Sequence, residues 1–132
     1  MVYFISGHRD LTLEEFEKYY VPKLQRIFED DSNIKYEFIV GDWGGCDKLF
    51  LDYIHNDFIT EDTSLPITIV YVDKPRYENI ESKHKLKYIQ LNSYDECDEY
   101  MTKHSDFDIA WVREGREDSY TFKNIKRRFM VV

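Results

Sequence analysis

Three short stretches of this 132-residue chain carry residue types suited to holding an anion. The first is Ser6-Gly7-His8-Arg9. The second is Gly41-Asp42-Trp43-Gly44-Gly45-Cys46-Asp47. The third offers Ser119 and Thr121. Glycines lack a Cβ and let a ligand approach the backbone. The start of a helix adds unpaired N–H groups and the positive end of its dipole. Together these hold a phosphate without many cationic side chains. Each residue also has an ordinary role. The glycines make a tight turn, Ser119 caps its helix, and Arg9 pairs with one of the many acids. Asp47, in a first helical turn, complements the dipole or meets a ligand. His8 titrates near neutrality and suits acid–base work, or is a solvent-exposed loop histidine.

These stretches need a scaffold that places them together. The runs MVYFIS, YEFIV, ITIVYV and FDIAWV read as strands rich in aromatic and β-branched residues. Between them lie helical patterns. Thr12 and Glu15 fit a capping box, followed by Leu13, Phe16, Tyr20, Leu24, Ile27 and Phe28 on one face. Pro22 either kinks that helix or starts a second segment. A second helix is expected from about Gly45 to Phe58. A third opens at a capping box formed by Ser93 and Glu96. The last runs from Ser119 to Arg128, with Phe122, Ile125 and Phe129 inward and Lys126, Arg127 and Arg128 in its final turn. Residues 73–85 read as an excursion, a mobile flap, and LKYIQL as a short strand. Alternating strands and helices, with strands apolar on both faces, predict an α/β fold with a mainly parallel sheet. In such a sheet the loops after the strands gather at one edge, where open α/β sheets bind ligands.

The chain is read as one domain over residues 1–132. Its formal net charge of −8 argues against nucleic acid or an anionic membrane as partner, because both need a basic face. A small anion held by local donors remains compatible. No apolar run is long enough to span a bilayer, and the N-terminus lacks a signal-peptide pattern, so a cytosolic setting is expected. The two cysteines, Cys46 and Cys97, are expected to be reduced. The four histidines are scattered, so neither a metal nor a cofactor is expected. The aromatic share is 17%. With the apolar face of the second helix, it leads to an expectation of a homodimer or larger closed assembly.

Taken in order, SGHRD, GDWGGCD, YDECDEYMTKHSDFDIAWV and SYTFKNIKRR resemble the SLOG superfamily over nearly the whole chain, above all its YspA-like branch. Its relatives include the DNA-processing proteins, the LOG nucleotide hydrolases and the nucleoside 2-deoxyribosyltransferases. The resemblance implies a Rossmann-like three-layer sandwich that binds a nucleotide or nucleotide-derived ligand at the strand-end edge. The ligand's N-glycosidic bond is then either cleaved or left intact by a non-catalytic sensor or interaction module. It assigns Gly7 and Arg9 to the phosphate or ribose side. Ser6, His8 and Asp42, offered by the first two loops, are counted with them as ligand-binding residues. Gly41, Gly44, Gly45 and Asp47 form the binding loop, and Ser119 and Thr121 close it. Cleavage needs a carboxylate beside C1′, for which Asp47, Asp98 and Glu99 are the candidates. The chain departs from the LOG signature PGGxGTxxE, reading REDSYTFKN instead. It also has Cys97 where many relatives place an arginine before the acid.

Overall fold

The computed structural model describes residues 1–30, 35–57, 64–78 and 82–130. Five strands, β1 (Val2–Ile5), β2 (Glu37–Gly41), β3 (Pro66–Val72), β4 (Lys85–Leu91) and β5 (Phe107–Ile109), form one sheet in the order β4-β3-β2-β1-β5. Every pairing is parallel. The helices are α1 (Leu13–Tyr19), α2 (Val21–Phe28), α3 (Cys46–Asp52), α4 (Tyr94–Lys103) and α5 (Tyr120–Met130). A π-helical turn, Tyr53–Asp57, continues α3. The fold is α/β with helices on both faces of the sheet, as in a Rossmann-like three-layer sandwich.

Strand alternation explains the layers. Ile5, Phe38, Val40, Ile67 and Ile69 face Phe16, Tyr20, Leu24, Phe50, Leu51 and Ile54 from α1, α2, α3 and the π-helical turn. Their neighbours Phe4, Ile39 and Val70 face the other way, toward Cys97 and Met101 of α4. Central strands buried on both faces must be apolar at nearly every position. At the edge, β4 presents exposed Lys85 and Lys87, which discourage pairing with a further strand.

Local chemistry sets the boundaries. The Thr12–Glu15 capping box forms in full. At Ser93, the hydroxyl accepts the Glu96 N–H, but Glu96 reaches back to the Asn92 N–H instead of its own cap. Pro22 starts α2, where its missing N–H has no partner to lose. Leu13, expected inward, is 57% exposed.

On α5 the expected face is rotated. Thr121 and Asn124 are buried, while Phe122 and Ile125 are half-buried. The packing of Phe129 and the expected helix end at Phe58 lie outside the described residues. The apolar face of α3, which motivated self-association, is buried within the chain itself at Phe50 and Leu51.

The connection from β3 to β4 is anchored in its described part. Asp42 accepts the Arg76 N–H, and Tyr77 packs on the α1–α3 side. No helix in the described residues is long and apolar enough to cross a membrane.

Candidate active site at the carboxyl end of the sheet

The strand order moves from β1 to β4 on one side of β1, then returns to place β5 on the other. Ligands of open α/β sheets bind where the connections diverge. A cavity of about 500 Å³ lies there. It is bordered by the loops after β1 and β2, the N-terminal turns of α4 and α5, and the loop before α5.

The β1 loop is fixed from beneath. Tyr20, at the α1–α2 junction, donates its hydroxyl to the Ser6 carbonyl (2.8 Å) and accepts the Trp111 N–H (3.0 Å), tying the segments after β1 and β5 together. Gly7 is required by packing: a Cβ there would meet Tyr20 Oη at 2.4 Å and Cys46 at 2.6 Å. The His8 carbonyl accepts the N–H groups of Leu11 and Cys46. Arg113 then secures the far wall with a bidentate bond to Glu15 and an ion pair to Asp10.

Ser6, Gly7, His8, Arg9, Gly41, Gly44, Asp47, Asp98, Ser119 and Thr121 all line the cavity. Three expected residues do not. Asp42 is buried and turned to the Arg76 N–H. Glu99 is exposed on α4, one position beyond Asp98 and hence on another face of the helix. Gly45 has φ +69° and is the N-cap of α3; a Cβ would lie 2.3 Å from the Arg9 carbonyl oxygen. It is a structural glycine. Gly44, by contrast, would place a Cβ no nearer than 3.9 Å to that oxygen.

His8 is 3% exposed, not a solvent-facing loop residue. Its Nε2 accepts the Arg113 N–H at 2.8 Å. Its Nδ1 and the Ser6 hydroxyl have no hydrogen-bond partner among the described residues. An acceptor Nε2 puts the proton of the neutral ring on Nδ1. Burial, helped by Arg116 and Arg113, lowers the His8 pKa and favours that neutral form.

Two carboxylates reach the cavity from opposite layers, Asp47 from α3 and Asp98 from α4. Burial pushes Asp47 up to about 8, with Asp42 and Asp98 adding to the rise, against the Trp43 N–H that donates to its Oδ2. Burial pushes Asp98 up to about 6, opposed by a hydrogen bond from Asn124. Arg127 holds the Asn124 oxygen at 2.7 Å, leaving the amide N–H group for Asp98. The result is two acids in one space that titrate at different pH values.

At the mouth, the Arg9 guanidinium lies over Trp43 (5.8 Å), Tyr94 (5.5 Å) and Tyr120 (6.0 Å). It forms no ion pair among the described residues, but its charge acts on Asp47 and Asp98, holding both pKa values down against burial. Trp43 stood inside the glycine loop, and its value was readable there; Tyr94, Tyr120 and Asn124 gave no signal, because only the tertiary fold brings them to β1. Ser119 does cap α5, accepting the Phe122 N–H. Cys46 and Cys97 are free and buried, and burial pushes the Cys97 thiol up to about 11, unlike an activated nucleophile. No family model, curated protein or solved structure matches this chain.

Proposed function

We propose that the cavity binds a nucleotide or nucleotide-derived ligand and cleaves its N-glycosidic bond. The observation that carries this reading is the pair of buried carboxylates, Asp47 and Asp98, facing one cavity beneath an aromatic mouth. Glycosidic cleavage needs one carboxyl to protonate the leaving group and another to support the positive sugar. Groups whose surroundings separate their pKa values divide such roles. At neutral pH, Asp98 (about 6) is mostly ionised and would face C1′. Asp47 (about 8) is mostly protonated and would donate to the departing base. The rings of Trp43, Tyr94 and Tyr120 would stack that base. Membership of the SLOG superfamily belongs to the same proposal, supported by the parallel sheet and its strand-end loops. So do a cytosolic setting and self-association; light scattering showing only monomer at micromolar concentration would overturn the last.

The test is incubation with a panel of nucleosides and nucleotides, with chromatography for free base. Release is expected to follow a bell-shaped pH profile with limbs near 6 and 8, and Asp98→Asn should lower it about 10²-fold or more. A second reading, a non-catalytic sensor, is favoured by the last loop, which reads REDSYTFKN and lacks the hydrolase signature. Binding without any free base would select it.

A further inference from the structure

The glycine loop was expected to hold a phosphate, yet two of its N–H donors are already engaged. The Trp43 N–H is given to Asp47 Oδ2 (3.2 Å) and the Cys46 N–H to the His8 carbonyl (3.1 Å). A phosphate nest keeps such N–H groups free and aimed at the ligand. Here a carboxyl from the first turn of α3 occupies that place, and α3 is only seven residues long.

The charge around the cavity points the same way. Asp10, Asp98 and Asp118 line it, with Asp47 mostly protonated at neutral pH, against the cations Arg9 and Arg116. Arg116 is 3.6 Å from Asp10, and Arg9 lies among the three rings. Among the described residues, a phosphate would therefore meet Asp98 inside the cavity, with Arg9 at the mouth as the lining cation not paired to an acid. What the cavity does offer is suited to hydroxyls and amides. Ser6 Oγ and His8 Nδ1 are buried and unpartnered among the described residues. Asn124 and Thr121 are buried and line the same cavity. Carboxylates accept hydrogen bonds from sugar hydroxyls, as an acidic residue does with ribose in dinucleotide sites.

Resting on the nucleotide-derived reading above, we propose that this site selects the unphosphorylated nucleoside, reading its sugar hydroxyls with Asp98 and the Ser6–His8 pair, and discriminates against 5′-phosphates. Base stacking at Trp43 and Tyr94 supplies attraction that does not depend on ligand charge.

The test is calorimetric titration with adenosine, guanosine, cytidine, uridine and thymidine, each beside its 5′-mono-, di- and triphosphate. Physiological salt is used, so that charges beyond about 8 Å are screened and the net charge of the chain counts for little. For whichever base binds, the nucleoside is expected to bind at least tenfold tighter than its monophosphate, with a further loss for each added phosphate. Asp98→Asn should weaken the nucleoside about tenfold and narrow its advantage over the monophosphate. A monophosphate that binds as tightly as its nucleoside, or tighter, overturns the inference while leaving the nucleotide reading standing. If no member of the series binds, the nucleotide reading fails and this inference falls with it.

Discussion

Two buried histidines occupy opposite kinds of place. His84 lies between the π-helical turn and the entry to β3. Its Nδ1 accepts the Leu65 N–H (3.1 Å) and its Nε2 donates to the Ile54 carbonyl (3.2 Å). Its neighbour His55 is held in the same way, between the Leu51 carbonyl (2.8 Å) and the Ser82 hydroxyl (2.6 Å). His8, equally buried, has one nitrogen bonded and the other without a partner among the described residues. A buried polar group is normally satisfied, and an exception asks for an explanation. Around His84 the polar atoms serve the fold. Around His8 they leave capacity for a ligand.

The largest test of that contrast lies within the cavity region itself, at two adjacent glycines. Gly45→Val forces a β-branched residue into φ +69° and drives a Cβ into the Arg9 and His8 carbonyls. Strain at such a φ costs about 1–3 kcal/mol, and overpacking a further 1–3 kcal/mol or so. The variant should therefore lose most of its folded population. At Gly44 a Cβ meets nothing closer than 3.9 Å. Gly44→Val should fold with a near-native midpoint in urea while losing ligand affinity, because it fills the cavity wall. Equal stability of the two variants would break the division between a structural and a site glycine.

Next in size is a swap across the two regions. His84→Ala strands the Leu65 N–H and the Ile54 carbonyl, at about 1–3 kcal/mol each when buried. His8→Ala strands only the Arg113 N–H and should cost less, while removing the free Nδ1 from the cavity. Denaturant unfolding paired with ligand titration reads both. The comparison fails if His8→Ala is the more destabilising of the two, or if His84→Ala weakens binding in protein that remains folded.

Much of the sheet was legible from the chain, because central parallel strands must be apolar on both faces and few other patterns look like ITIVYV. Loop positions after those strands were legible for the same reason, which is why Ser6, Arg9, Gly44 and Asp47 meet. Side-chain roles were harder to read. Gly44 and Gly45 are indistinguishable as letters; only the backbone path past Arg9 makes one structural. Asp98 and Glu99 are equally acidic, and helical phase alone sends one inward. On α5 the apolar letters Phe122 and Ile125 suggested the inner face. Instead the helix turns Thr121 and Asn124 toward the cavity, a place where polar groups find partners.

The smallest expected effect is in stability against pH, where the two regions should pull in opposite directions. The native pKa of Asp47 is about 8, against 3.8 for the ordinary carboxyl. Between those values the folded chain keeps a proton that the unfolded chain releases, so stability falls as pH rises from about 4 to about 8. Burial lowers the pKa of His84 from 6.5. Below 6.5 the unfolded chain takes a proton that the folded chain refuses, so this region loses stability as pH falls through the lowered native value. Asp47→Asn removes the first slope and keeps an oxygen for the Trp43 N–H. It should leave stability unchanged near pH 4 and raise it at pH 7 by on the order of 1 kcal/mol or more, since one pKa unit is worth about 1.4 kcal/mol. The same variant should lose base release. A gain in stability alongside a loss of activity is the signature of a residue held in an unfavourable state for its chemistry. Urea unfolding of wild type and Asp47→Asn from pH 4 to 8.5 decides it: parallel curves, or a less stable variant at pH 7, would mean that Asp47 belongs with His84 among the residues that only hold the fold.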